Sequence, residues 1–362
     1  MSRVLIIAEA GVNHNGDENL ARELIDIAAV AGADIVKFQT FKADLLVTDR
    51  ADKADYQSKN DISSKSQADM LKRLELDEDC FSRLSEYCRT KGVEFMSTAF
   101  DLSSAGFLVH ELKQRILKIP SGEIVNAPFL LAHAMYKKKI ILSTGMATLG
   151  EIEDALGVIA FGLLGDKTGG PSRDAFRSAY RSRNGQALLR EKVSLLHCTT
   201  EYPTPYEYVN LMCIQTLAST FGLSVGFSDH TSGIAAPIAS VALGASIIEK
   251  HFTLDKNLPG PDHKASLEPK DLELMVTGVR SIEAALGSGV KIPTSVELKN
   301  KTSIRQSIVA LENISAGELF TEKNVGTRRP GSGLSPFSYW DVIGNKAACD
   351  FYKFDEIVLY FG

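Results

Sequence analysis

The chain reads as a parallel (β/α)8 barrel followed by a small C-terminal module. Three observations predict it: β-rich runs alternate eight times with longer amphipathic segments, most runs are continuously apolar, and all eight turn polar at the same end. Continuous apolar runs mark strands buried on both faces, as in parallel sheets flanked by helices. A doubly wound open sheet is the alternative that the same pattern allows.

The eight runs cover residues 4–11, 34–40, 94–100, 115–122, 139–145, 192–199, 223–230 and 246–253. Between them lie period-3.6 segments such as 19–31, with Leu20, Leu24, Ile27, Ala28 and Ala31 on one face, and 151–161. Eight such units over roughly 250–290 residues fit the size of this barrel. Two insertions break the spacing. Residues 42–68 are polar, follow the second strand and are expected as a long loop over the site. Residues 165–190, rich in Gly, Ser and Arg, precede the sixth strand and so lie at the opposite end, where a structural, oligomeric or mobile role is expected. The eighth helix, 269–287, ends at Gly-Ser-Gly, and residues 288–301 read as a polar linker closing the barrel domain of residues 1–287. Residues 302–362 form a module with short strands expected at 307–310, 324–329 and 357–361 around a turn at Ile314. At about 60 residues it has little core of its own and is expected to lean on the barrel or on a second subunit.

Composition narrows the class. Apolar residues make up 44% and charged residues 23%, ordinary globular usage, and the net charge of −5 offers no basic footprint for nucleic acid or an anionic membrane. No signal peptide or spanning segment is legible, and the five cysteines form no CxxC pair, so a reducing cytoplasm is the expected compartment.

In a barrel the chemistry is built at the carboxyl ends of the strands. Here those ends carry Glu9, Lys37 with Gln39, Thr98, Lys118 with Ser121 and Glu123, Ser143, His197 to Tyr202, His230, and His251. His230 and His251 sit on consecutive strands about 4.8 Å apart and could share one metal ion. Two histidines leave positions open for water and substrate, which favours a Lewis-acid ion such as Mn or Mg over structural Zn. Lys37 and Lys118 face the barrel axis, and burial demands a partner for each. That partner is a carboxylate (Glu9 or Glu123) or a ligand phosphate assisted by the hydroxyls of Thr98, Ser121 and Ser143. A Schiff-base lysine stays open as a third use.

Taken together these segments resemble the sialic acid synthase family, the phosphoenolpyruvate-dependent synthases of nine-carbon keto-sugar acids. The stretches are Ala8-Glu-Ala-Gly-Val-Asn-His-Asn-Gly16, Val36-Lys-Phe-Gln-Thr40, Lys118-Ile-Pro-Ser-Gly-Glu123, Leu142-Ser-Thr-Gly-Met146, Leu196-His-Cys-Thr199 and Tyr202-Pro-Thr-Pro205. They continue through Gly226-Phe-Ser-Asp-His230, Glu249-Lys-His-Phe-Thr253 and Gly260-Pro-Asp-His263 to Arg328-Arg-Pro-Gly-Ser-Gly333, which resembles the antifreeze-like (SAF) domain. The resemblance implies metal-binding roles for His230 and His251, and phosphoenolpyruvate contacts for Lys37, Thr98, Lys118, Ser121, Ser143 and Tyr202. It implies acceptor-sugar contacts for Gln39, Glu123 and Asp262, and a place near the reacting carbon for Glu9. Arg329 matches the arginine sent into a neighbour's site, which implies a domain-swapped homodimer. Thr200 departs from the Asn of some relatives. The implied cofactor is a divalent metal, Mn ahead of Mg, with no organic cofactor. The expected reaction joins phosphoenolpyruvate to an open-chain N-acetylmannosamine-type acceptor, with water added under Glu9 or Glu123 and phosphate expelled. The leading expectation is N-acetylneuraminate synthase. N,N'-diacetyllegionaminate synthase, using 2,4-diacetamido-2,4,6-trideoxymannose, is the alternative, and Gly260–Ser266 resembles the sialic and legionaminic branches slightly more than the pseudaminic one. A Schiff-base pyruvate aldolase is a remoter reading, and a sugar- or ice-binding protein the reading outside enzymes.

Overall fold

Eight parallel strands close on themselves in chain order: β1 (Leu5–Gly11), β2 (Ile35–Thr40), β3 (Glu94–Ala99), β4 (Ile116–Ile119), β5 (Lys139–Ser143), β6 (Val193–Cys198), β7 (Ser224–Asp229) and β8 (Ile247–His251). Closure is direct, because β1 pairs with β8 in register from Leu5 opposite Ile247 to Glu9 opposite His251. That rules out the open sheet. The computed structural model describes residues 3–48, 51–60, 64–165 and 170–359.

The lumen is layered by the period of two along each strand. At the floor Ile7, Ile35, Met96, Ile116, Ile141, Leu196 and Ile247 form one apolar cluster. Two residues further along the same strands stand Glu9, Lys37, Thr98, Lys118, Ser143, Cys198 and Glu249, which line a cavity. An apolar plug therefore seals the barrel beneath a polar layer and keeps that layer away from bulk water. On β7 the floor position is Gly226, where a Cβ would lie 2.5 Å from the Ile247 carbonyl oxygen and 2.6 Å from Leu196 Cδ2, so no side chain fits.

The helix Glu18–Ala31 shows how the outer ring forms. The Asp17 side chain caps its first turn, Gly32 ends it in the left-handed region, and Ala21, Leu24, Ile25, Ala28 and Ala31 are buried. Its inward stripe is turned by one residue from the expected one, since Ala21 and Ile25 are buried where Leu20 and Ile27 are only half-buried. The insertion after β2 is not a plain loop: it carries the helices Ala43–Leu46, Asp55–Asn60 and Gln67–Leu74, while residues 49, 50 and 61–63 lie outside the described residues. The insertion before β6 likewise forms two helices, Arg173–Arg181 and Arg183–Lys192. Ser172 and Ser182 cap them, so the serines that looked like loop composition are helix starts. Residues 166–169 lie outside the described residues.

Residues 288–362 form a second compact unit. The polar stretch expected as a linker contains the helix Ser295–Ile304, started by a reciprocal cap between Thr294 and Glu297 and burying none of its side chains. An antiparallel pair, β9 (Ser307–Ala310) with β10 (Val325–Arg328), follows. Its core holds Ile308, Ile314, Phe320, Val325, Val342, Phe351 and Ile357. The strand expected at 357–361 is reduced, among the described residues, to a single bridge between Glu356 and Val309.

Candidate active site

Every barrel residue given a metal, substrate or catalytic role from the sequence lines one cavity of about 520 Å³ at the carboxyl ends of the strands: Glu9, Lys37, Gln39, Thr98, Lys118, Ser121, Glu123, Ser143, Tyr202, His230, His251 and Asp262. His197, also at a strand end, instead hydrogen-bonds the Val209 carbonyl oxygen. Arg329 stands on the separate C-terminal unit, just after β10.

Register places the charges. Glu9 sits opposite Lys37 on one side and His251 on the other, and Thr98 sits opposite both Gln39 and Lys118. Lys37 Nζ lies 2.5 Å from Glu9 Oε2 and 3.6 Å from Glu249 Oε2, and donates to Thr98 Oγ1 at 3.1 Å. Lys118 Nζ lies 3.1 Å from Glu249 Oε1, which also accepts from Ser228 Oγ at 2.9 Å. The result is a buried chain, Glu9–Lys37–Glu249–Lys118. The expected pairing of Lys37 with Glu9 is present. The partner of Lys118 is Glu249 rather than Glu9 or Glu123, and Glu123 instead accepts from Asn126 at 2.6 Å. Glu249 is the residue the sequence reading missed. Its signal was available: it shares a strand face with His251, two residues away.

The two carboxyls of this chain differ. Burial pushes Glu9 above the ordinary carboxylate range, against the pull of Lys37 and with help from the charge on Glu249. Burial works on Glu249 too, but Lys118 and Lys37 outweigh it and hold its carboxyl down at about 2. A pair split this way offers one group that can carry a proton and one that stays ionised. Burial also acts to lower Lys37, yet Glu249 and Glu9 together raise it, so its ammonium stays charged. Asp262, over the mouth, is pushed up to about 7 by burial and by the charge on Glu9.

The histidines meet. The ring centres of His230 and His251 are 5.7 Å apart, and Tyr202 packs 4.1 Å from the first and 5.7 Å from the second. His230 Nδ1 hydrogen-bonds the Thr199 carbonyl oxygen, which fixes the tautomer and leaves Nε2 as the acceptor, with Ser228 Oγ 3.5 Å away but donating its proton to Glu249. His251 Nδ1 is buried with no hydrogen-bond partner, and Asp262 Oδ2 lies 3.9 Å away. Burial holds His230 at about 4 and His251 well below the usual imidazole range, so both rings are neutral, the form that binds metal. Two neutral imidazoles, His230 offering Nε2 with only a long Ser228 contact and His251 offering an unpartnered Nδ1, fit a divalent cation. Among the described residues no group of three His, Cys, Asp or Glu side chains gathers for one, so solvent or substrate oxygens would complete the shell.

Close approach governs the rest of the wall. Gly11, at φ +53°, leaves room for three neighbouring side chains: a Cβ there would meet Gln39 Nε2 at 3.2 Å and both Glu9 Oε1 and His251 Cε1 at 3.3 Å. Gln39 Nε2 in turn donates to Glu9 Oε1 at 3.2 Å. Ser121 Oγ accepts from the Gly145 amide at 3.0 Å, tying the ends of β4 and β5 together.

The profile of the NeuB family matches residues 24–291, and that of the SAF domain matches residues 305–353. This chain belongs to the NeuB family. The sialic acid synthase resemblance read from its motifs is thereby established, as is the barrel-plus-SAF architecture. Among NeuB relatives, the N,N'-diacetyllegionaminic acid synthase of Campylobacter jejuni is 49% identical over 358 residues, covering 99% of each chain. The enzyme of the same name from Legionella pneumophila is 44% identical over 94% of this chain and 89% of its own. The N-acetylneuraminate-9-phosphate synthase of Homo sapiens is 31% identical over 98% of this chain and 91% of its own. A crystal structure of the N-acetylneuraminic acid (sialic acid) synthetase of Leptospira borgpetersenii, in complex with citrate, superposes with a TM-score of 0.66 at 34% identity, covering 83% of this chain and 90% of that one. No helix among the described residues is long and apolar enough to cross a membrane.

Proposed function

We propose that this NeuB-family chain is a nonulosonic acid synthase of the legionaminic type, condensing phosphoenolpyruvate with 2,4-diacetamido-2,4,6-trideoxymannose and releasing phosphate. The carrying observation is the buried chain of Lys37 and Lys118 with their carboxylates, set beside two neutral, convergent histidines in one cavity. The choice of acceptor rests on the two legionaminic synthases at 49% and 44% identity. They favour that alternative over N-acetylneuraminate, the leading expectation from the motifs.

Lys37 and Lys118 would hold the phosphate and carboxylate of phosphoenolpyruvate, with the hydroxyls of Thr98, Ser121 and Ser143 adding neutral donors. Glu9, with its raised carboxyl, is the group to take or return the proton of water added at C2, and Glu249 remains the fixed counter-charge. Gln39, Glu123 and Asp262 would orient the sugar, and the apolar floor excludes water beneath the reacting carbons. His230 and His251 would hold a divalent ion, Mn ahead of Mg; when bound, it supplies Lewis-acid polarisation of the acceptor aldehyde. A domain-swapped homodimer, with Arg329 of one copy serving the cavity of the other, belongs to the same proposal, as does a cytoplasmic location.

Two rivals are weaker. A Schiff-base aldolase needs a neutral amine, whereas the carboxylates keep Lys37 protonated. A sugar- or ice-binding scaffold has no use for four ionisable groups buried in a chain beneath its surface. Phosphate release measured with phosphoenolpyruvate and the diacetamido sugar should be brisk, abolished by EDTA and restored by Mn. Full turnover after chelation would remove the metal, and borohydride trapping of substrate on the protein would favour the aldolase.

A further inference from the structure

The cavity is not uniformly polar. On the β7–β8 side its upper wall carries His230 and His251, but above β2 and β3 it is mostly apolar, with Gln57 and Gln67 as polar breaks, and the sequence motifs left those residues unassigned. Phe41 follows Gln39 by two residues and Phe100 follows Thr98 by two, so both continue inward-facing rows one step towards the mouth. Their rings meet edge to face at 6.3 Å. The helices Ala43–Leu46 and Gln67–Leu74 add Leu46, Met70 and Leu71 to the same cluster, and all five side chains line the cavity. Phe41 and Met70 are buried, whereas Leu46, Leu71 and Phe100 are half-buried, so the patch runs from the interior out to the opening.

We infer that this wall is the subsite for the far end of the acceptor, C5 and C6, and that it selects 6-deoxy sugars over 6-hydroxy and 6-phospho sugars. The inference rests on the synthase reading above, which puts the acceptor aldehyde beside His230 and His251. Lys37 is level in register with Glu9 and His251, and Phe41 stands four residues further along, just past β2, so the wall lies beyond the imidazoles towards the mouth, where the far end of the acceptor would extend. A C6 methyl placed there is removed from water against carbon. A C6 hydroxyl set against these five side chains would lose its water and gain no partner from them; the polar groups of the same insertion at the cavity are Gln57 and Gln67. A C6 phosphate would fare worse. Among the described residues lining the cavity the cations are Lys37 and Lys118, both deep and already paired, while Glu249 stays ionised and Glu9, Glu123 and Asp262 are further acidic groups.

The test uses three acceptors that differ only at C6: N-acetylmannosamine, its 6-deoxy analogue and its 6-phosphate, each assayed for phosphate release with phosphoenolpyruvate. Each ratio is taken on one protein sample, so a change in folded fraction cancels. The 6-deoxy acceptor should exceed the 6-hydroxy one by on the order of 10-fold to 100-fold in kcat/KM, the range open to an apolar pocket. The 6-phosphate should be slowest. Leu46→Asn and Leu71→Asn should each shrink the 6-deoxy preference about tenfold, and Leu71→Lys should raise turnover of the 6-phosphate relative to N-acetylmannosamine. Ratios near one that none of these variants moves would overturn the wall and leave the synthase reading standing. No phosphate release with these three or with the diacetamido sugar would instead fell the synthase reading itself.

Discussion

Two clusters of charge lie back to back across β7 and β8, and they are satisfied to different degrees. Facing outward, Lys250 Nζ donates to Asp229 Oδ2 at 2.6 Å and also to the Thr231 carbonyl oxygen, while Asp229 accepts from the Thr231 amide at 2.9 Å and its hydroxyl at 3.0 Å. Both side chains are fully buried. Facing inward, one residue away along each strand, the chain of Glu9, Lys37, Glu249 and Lys118 leaves Glu9 Oε2 and Glu249 Oε2 without a hydrogen bond of good geometry, and His251 Nδ1 with none. The outer pair is closed: it joins β7 to β8 just beneath the two imidazoles and has no capacity left for a ligand. The inner chain keeps capacity in reserve where the cavity is. Between these two clusters, incomplete satisfaction of polar atoms rather than burial of charge as such is the difference, although Asn13 Oδ1 and His14 Nε2, off the cavity wall, are also buried without a partner.

That contrast can be broken from either side. The largest effect belongs to the outer pair. Asp229→Ala strands a buried ammonium and should cost about 3–5 kcal/mol of stability in chemical denaturation, whereas replacing both partners with Leu and Met should recover most of the loss. A double variant as unstable as the single one would mean that the pair does more than lock the strands. Next comes Lys37→Met. It should lower kcat/KM for phosphate release by on the order of 10²-fold to 10³-fold, the scale for losing one preorganised charge stabiliser. A loss below tenfold would take Lys37 out of the charge-binding role. The smallest is Thr98→Val. It removes a single hydrogen bond to a charged amine and should cost roughly 1.5 kcal/mol, about tenfold in the same assay, with little change in melting temperature.

The fold was legible because strands and helices write their period into the chain. The step from Ile35 to Lys37, or from Ile247 to Glu249, already states that an apolar floor carries a polar layer. The polar wall of the cavity was legible for the same reason, since strand ends in a barrel converge whatever their spacing in sequence. The insertions were less so. Short polar helices such as Gln67–Leu74 and Arg173–Arg181 depend on caps and on packing against the barrel, and composition registers only their loop-like residues. Lys118 was given to the wrong carboxylate because Glu123 lies five residues away in sequence, whereas Glu249 comes within 3.1 Å only when β8 closes on β1.

The sequence by itself determined the eight-strand period, the polarity of each strand end and the family, all of which are local patterns or strings of residues. The tertiary structure alone decided which carboxylate neutralises which lysine, which imidazole nitrogen is left free, and which wall of the cavity is apolar. Those depend on distances between side chains far apart in the chain, and barrel closure and strand register set them.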